Sequence, residues 1–148
     1  MPEWFDVNAA ISGLGGASVH VLAARREEEV RRVLAAAGFG LCTLEGAQVL
    51  SARSFFREVG RALGLPPHFG HNWDALQDVL GDLAQGQERR IALLWREADH
   101  SFGADPQTVV DAFVAFARAA EDLAAEGPGT QLDVFLLGDG PGFGRLRP

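Results

Sequence analysis

The stretch Pro67-His68-Phe69-Gly70-His71-Asn72-Trp73-Asp74-Ala75-Leu76-Gln77-Asp78-Val79-Leu80 decides how its surroundings are read. At about 100° per residue, Trp73, Leu76, Leu80 and Leu83 fall on one stripe, with Asp74, Asp78 and Asp82 roughly opposite. The pattern predicts a helix from Asn72 to about Ala84 that buries one side and shows carboxylates on the other. Asn72 suits the N-cap, because its side-chain oxygen can accept from a backbone N–H that has no helical partner. Asp74 then lies in the first turn, where the helix dipole favours negative charge. That placement alone is ordinary capping chemistry. Asp78 gains little from the dipole and stands i,i+4 from Asp74, a like-charge spacing that costs about 0.2–0.5 kcal/mol. A solvated face tolerates this cost, and a rigid display of two carboxylates toward a cationic pocket uses it.

Working outward, the chain alternates strands and helices. Upstream, Ser51 can cap a helix to about Leu63 with Phe55, Phe56, Val59 and Leu63 buried, and Gly64 and Pro66-Pro67 stop it. Before it, Gly40 to Leu44 reads as a strand, Arg25 to Ala37 as a helix ended by Gly38, and Ser18 to Leu22 as a strand. Residues 1–16, Gly-rich toward their end, read as an irregular arm. Downstream, Ile91-Ala92-Leu93-Leu94-Trp95 is a continuous apolar run, as expected of a strand covered on both faces. Asp105-Pro106 starts a helix carrying Val109, Val110, Phe113, Phe116, Ala120 and Leu123 and ending at Gly127. Leu132 to Leu137 is the last strand, and the Gly-rich segment that follows has no periodicity and reads as a loose tail. Alternating β and α elements predict an α/β fold with a small parallel sheet. It has three core strands, and the first βα unit is available to add a fourth. The expected division is an N-terminal extension over 1–38 packed on the same domain, the domain itself over 39–138, and a flexible tail over 139–148.

Bulk properties narrow the function. The chain has 148 residues, enough for one domain with its own core. Its 13 basic residues are all arginine, and the formal net charge of −7 opposes nucleic acid or an anionic membrane as partner. It suits a basic partner. Cys42 is the single cysteine, so no internal disulfide can form, which fits a reducing compartment. No apolar run has the length of a membrane span. Acids at Glu3 and Asp6 stand where a secretory signal needs basic residues, so a cytoplasmic location is expected.

The quoted segment resembles the inhibitory loop and helix of the barstar family. That family's pattern is an aromatic pair, Gly, a variable residue, Asn, an apolar residue, Asp-Ala-Leu, a variable residue, then Asp and Leu. The likeness extends over about residues 39–138 in element order, including Leu93-Leu94-Trp95-Arg96 in a strand. The resemblance implies a barstar-like fold and a non-enzymatic inhibitor that plugs the active site of a secreted, guanyl-specific bacterial ribonuclease. Its contact surface would be His68, Gly70, His71, Asn72, Trp73, Asp74, Gln77 and Asp78. By that analogy Asp74 and Asp78 meet the cationic side chains that hold RNA phosphate, since a carboxylate accepts paired hydrogen bonds from arginine as a phosphate does. There are departures. Gln77 stands where the familiar inhibitor is aromatic, His68 replaces a tyrosine, and His71 stands where an acid is found. An ungapped alignment places Ala115 at the position of an additional acid from the last helix. The alternative is an immunity or regulatory module of the same fold whose partner is not a ribonuclease.

Other patterns have plainer readings. His68, His71 and Asp74 form an H-x-x-H-x-x-D array, but two of the three precede the helix and no second ligand cluster exists. No metal, cofactor or catalytic residue is therefore expected. Trp73 reads as core, with a half-exposed binding anchor as the other option. Trp95 and Cys42 read as structural, and Glu27-Glu28-Glu29 as the solvated first turn of a helix.

Overall fold

The computed structural model describes residues 4–66, 69–82, 89–126, 129–144 and 146. Four parallel strands form one sheet: β1 (Val19–Leu22), β2 (Phe39–Glu45), β3 (Arg89–Arg96) and β4 (Thr130–Leu137), in the order β1-β4-β3-β2. Register is set by Leu93 opposite Cys42 on one side and Val134 on the other, and by Val19 opposite Val134. The parallel α/β architecture expected from the alternation is what forms, and the N-terminal βα unit supplies the fourth strand.

Both sheet faces are covered, which explains the unbroken apolar run Ile91-Ala92-Leu93-Leu94-Trp95 in β3 and the burial of apolar residues on both sides of β4. Ile91, Leu93, Trp95, Leu132, Val134 and Leu136 point to a front core. There they meet Phe55, Phe56 and Val59 of α3 (Ala52–Leu63), Leu76 and Leu80 of α4 (Trp73–Gly81), and Val109, Ala112 and Phe116 of α6 (Pro106–Ala125). Ala92, Leu94, Phe135 and Leu137 point the other way, toward Val30 and Leu34 of α2 (Glu27–Ala36) and Val7 and Ile11 at α1 (Val7–Ala10). The chain before β2 thus lengthens the sheet at β4 and roofs its back.

The helix ends follow local chemistry. The Ser51 hydroxyl accepts from the Ser54 N–H in a capping box, and Gly64 closes α3 at φ 65°. Asp105 caps α6 through the Thr108 N–H at 3.2 Å, with Pro106 in the first turn. Gly127, expected to end α6, lies outside the described residues.

Three short helices escape the periodic reading, each being too short to show a repeat. In α1, Asp6 caps the Ala9 N–H at 3.1 Å and Val7 is buried. α5 (Ala98–Ala104) directly follows β3 through Glu97, a non-glycine residue at φ 49°. The segment read as a loose tail instead forms α7 (Pro141–Gly144), because Phe143 is buried in the front core beside Phe102. Glu27 also departs from expectation. It is no solvated first-turn acid but accepts from Arg31 Nε at 2.8 Å and Arg96 Nε at 3.1 Å, tying α2 to the sheet.

Polar groups inside the sheet are answered locally. On the back face, His20 Nε2 and Asp133 Oδ1 lie 2.9 Å apart, and the Gln131 amide donates to Asp133 Oδ2 at 3.1 Å. Gln131 also holds the arm: its oxygen accepts from the Phe5 N–H and its nitrogen donates to the Phe5 carbonyl. At the outer edge of β2, Glu58 Oε2 accepts the Glu45 N–H and Arg61 donates to the Thr43 carbonyl, so α3 side chains close part of an open strand edge. Among the described residues no helix is long and apolar enough to cross a membrane.

Candidate partner-binding site

The acidic helix is α4, and its entry is built as the sequence dictates. Asn72 Oδ1 accepts the Ala75 N–H at 2.8 Å, fixing the first turn. The Asn72 N–H donates to the Gly70 carbonyl at 2.9 Å, and buried Phe69 anchors the loop from below. A side chain at Gly70 would meet Ala75 Cβ at 3.3 Å and Asn72 Nδ2 at 3.4 Å, which favours glycine there. His68 lies outside the described residues. Gly70, His71 and Asn72 are exposed, with the His71 ring 5.6 Å from that of Phe69.

Asp74 and Asp78 are both exposed, one turn apart and about 6 Å along the axis. Neither forms an ion pair with another described residue. Asp82 follows at the C-cap, also exposed. Beneath the acids, Leu76 and Leu80 are fully buried, so the helix is fixed to the core on the side away from its charge.

Trp73 unites the two readings open for it. Its ring stacks on Phe55 at 5.5 Å and meets Phe56 edge-on at 4.8 Å, yet it is half-buried and also lines a surface groove. Gln77 is held inward: its amide donates to the Ala115 carbonyl at 2.9 Å, bracing α4 against α6.

That groove, about 320 Å³, runs between α4 and α6 and is lined by Trp73, Asp74, Gln77, Asp111, Val114, Ala115 and Arg118. It brings together four residues the α4 reading could not supply. Ala115, placed by ungapped alignment where an acid was sought, is buried at 6 % exposure and presents only its carbonyl, to Gln77. The charges on this part of α6 are Asp111 and Arg118, on either side of Val114. A signal for them existed in the sequence: Val110 and Val114 are i,i+4 neighbours, and Val114 lies off the Val109, Ala112, Phe116 stripe. Val110, expected on the apolar face of the helix, is 38 % exposed, and Val114 is 49 % exposed.

Among the described residues no cluster of three or more His, Cys, Asp or Glu side chains is arranged to hold a metal ion. What the surface can do is bind. It offers rigid acids over a fixed helix, an aromatic face, and an adjoining groove of mixed character. The family model described as Barstar (barnase inhibitor) matches residues 39–136, the span from β2 through nearly all of β4. A search of curated proteins finds no match to the chain.

Proposed function

We propose that this chain, which belongs to the barstar family, inhibits a basic bacterial ribonuclease by seating α4 and its preceding loop in the enzyme's active-site cleft. One observation carries the reading. Asp74 and Asp78 stand exposed on a helix pinned from behind, and no described arginine of the chain neutralises either. The cost of immobilising the acids is met during folding, so little ordering remains for association. A cleft lined by arginine, lysine and histidine would find in them the oxygens it ordinarily takes from phosphate. His71, Asn72 and the exposed part of Trp73 extend the contact along the loop, and Asp111 adds an acid from α6. The action is occlusion, without turnover, and fits a protein kept in the cytoplasm of the cell that makes the nuclease.

The test is an inhibition titration of several guanyl-specific bacterial ribonucleases with the full chain, repeated at rising salt. Stoichiometric inhibition of at least one enzyme is expected, with association slowing as ionic strength rises because screening removes long-range attraction. Full ribonuclease activity in the presence of excess protein across the set would overturn the reading.

A further inference from the structure

We infer that Arg118 makes a carboxylate on the partner part of recognition, so the chain selects, among basic ribonucleases, those with an acidic side chain beside the cationic cleft. This rests on the reading of α4 as the inhibitory surface.

The groove beside α4 is bipolar. Asp74 and Asp111 line it, and Arg118 lines it with them. Arg118 is exposed and forms no ion pair with a described residue, although two carboxylates line the same groove. Spacing on α6 explains why one of them stays apart. Arg118 follows Asp111 by seven residues, two turns on the same side of the helix and about 10 Å along it. Asp111 is already engaged, its Oδ1 accepting from the Gln107 amide at 2.8 Å. Val114 lies between the two charges, 49 % exposed.

A partner that covers this groove therefore meets a fixed sequence of chemistry: an acid, an apolar side chain and a guanidinium. Covering Val114 removes water from the neighbourhood of Arg118, and a guanidinium deprived of water needs an anion. The planar fork of arginine matches a carboxylate through two parallel hydrogen bonds, giving the pair geometric as well as electrostatic specificity. A nuclease presenting only cations there would be repelled at Arg118 while being attracted at Asp74 and Asp78. Discrimination comes from that difference, the repulsive contact excluding enzymes that the acids alone would accept.

The test uses full-length chains carrying Arg118→Ala, Arg118→Glu, Asp74→Ala or Asp78→Ala, with circular dichroism confirming each fold. Each is titrated against the guanyl-specific ribonuclease that the parent chain inhibits best. Arg118→Ala is expected to weaken inhibition by about tenfold or more, and Arg118→Glu further, while Asp78→Ala also weakens it. If both Arg118 variants inhibit as well as the parent or better while Asp78→Ala loses inhibition, the acidic helix stands and the carboxylate inference is overturned. Inhibition unchanged by Asp78→Ala and by Asp74→Ala alike, or none by the parent, overturns the reading of α4 and this inference with it.

Discussion

Asp74 and Asp78 differ from Glu27, Glu45 and Glu58 in what surrounds them. Each of the three glutamates lies against an arginine of the chain, with contacts of 2.6–3.1 Å. Asp74 and Asp78 face solvent without such a partner among the described residues, and this separates an acid available for binding from one used in folding. Alanine at either position is expected to weaken inhibition by about tenfold or more, with the far-UV circular dichroism spectrum unchanged. Helix stability should not fall in Asp78→Ala, where removing one of two like charges at i,i+4 relieves repulsion, whereas Asp74→Ala also gives up the favourable first-turn dipole interaction. Unaltered inhibition in both variants would remove the site. Glu58 gives the opposite case. Burial opposes its ionisation, but hydrogen bonds from Arg61 and the Glu45 N–H outweigh that and hold its pKa below the ordinary glutamate value. Because the folded value is the lower one, its stabilisation is complete above the unfolded pKa and is lost as pH falls through the folded pKa. Urea midpoints should therefore drop in acid, and less steeply in Glu58→Gln, which starts from a lower midpoint at neutral pH. Equal slopes for parent and variant would show that Glu58 has no part in acid lability.

At the scale of elements, the helices long enough to repeat were legible. The stripe Leu76-Leu80 with Asp74-Asp78 opposite is what α4 buries and exposes. The Ser51 and Asp105 caps and the Gly64 stop fall where their chemistry requires. One-turn pieces were not legible, because four residues contain no period and their stability comes from a single docked side chain such as Phe143. Junctions between elements were equally hidden. Gly46 begins the turn after β2, and a Cβ there would lie 2.2 Å from the Arg96 and Glu97 carbonyl oxygens, while its own carbonyl accepts from Ser101 Oγ. Backbone atoms cannot yield as a side-chain tip can. Gly46→Ala should lose about 1–3 kcal/mol by denaturant titration, the range for overpacking, and a variant as stable as the parent would show that the β2 and β3 exits can separate.

For the whole molecule, residues 39–136 match the family, yet their sheet is completed by what precedes them. The back face of β3 and β4 is covered by α1 and α2, and Gln131 binds both backbone groups of Phe5. Removing residues 1–38 would uncover Ala92, Leu94 and Phe135 and leave the edge of β4 open, so the shortened chain should aggregate or lose its cooperative thermal transition. A truncated protein that melts cooperatively at the parent's temperature would contradict this and make the extension a separate appendage.

The sequence by itself determined the alternation of strands and helices, the amphipathic split of α4 and the placing of two aspartates one turn apart on its outer side. All of these are local, fixed by backbone geometry and by the nearest few residues. Tertiary structure alone decided that Gln77 turns inward to Ala115, that Phe143 returns to the core, and that Asp111 and Arg118 join Asp74 in one groove. Those outcomes depend on which helices become neighbours, and that follows from how the separate apolar faces share two sides of a sheet. A periodicity along one segment carries no record of it.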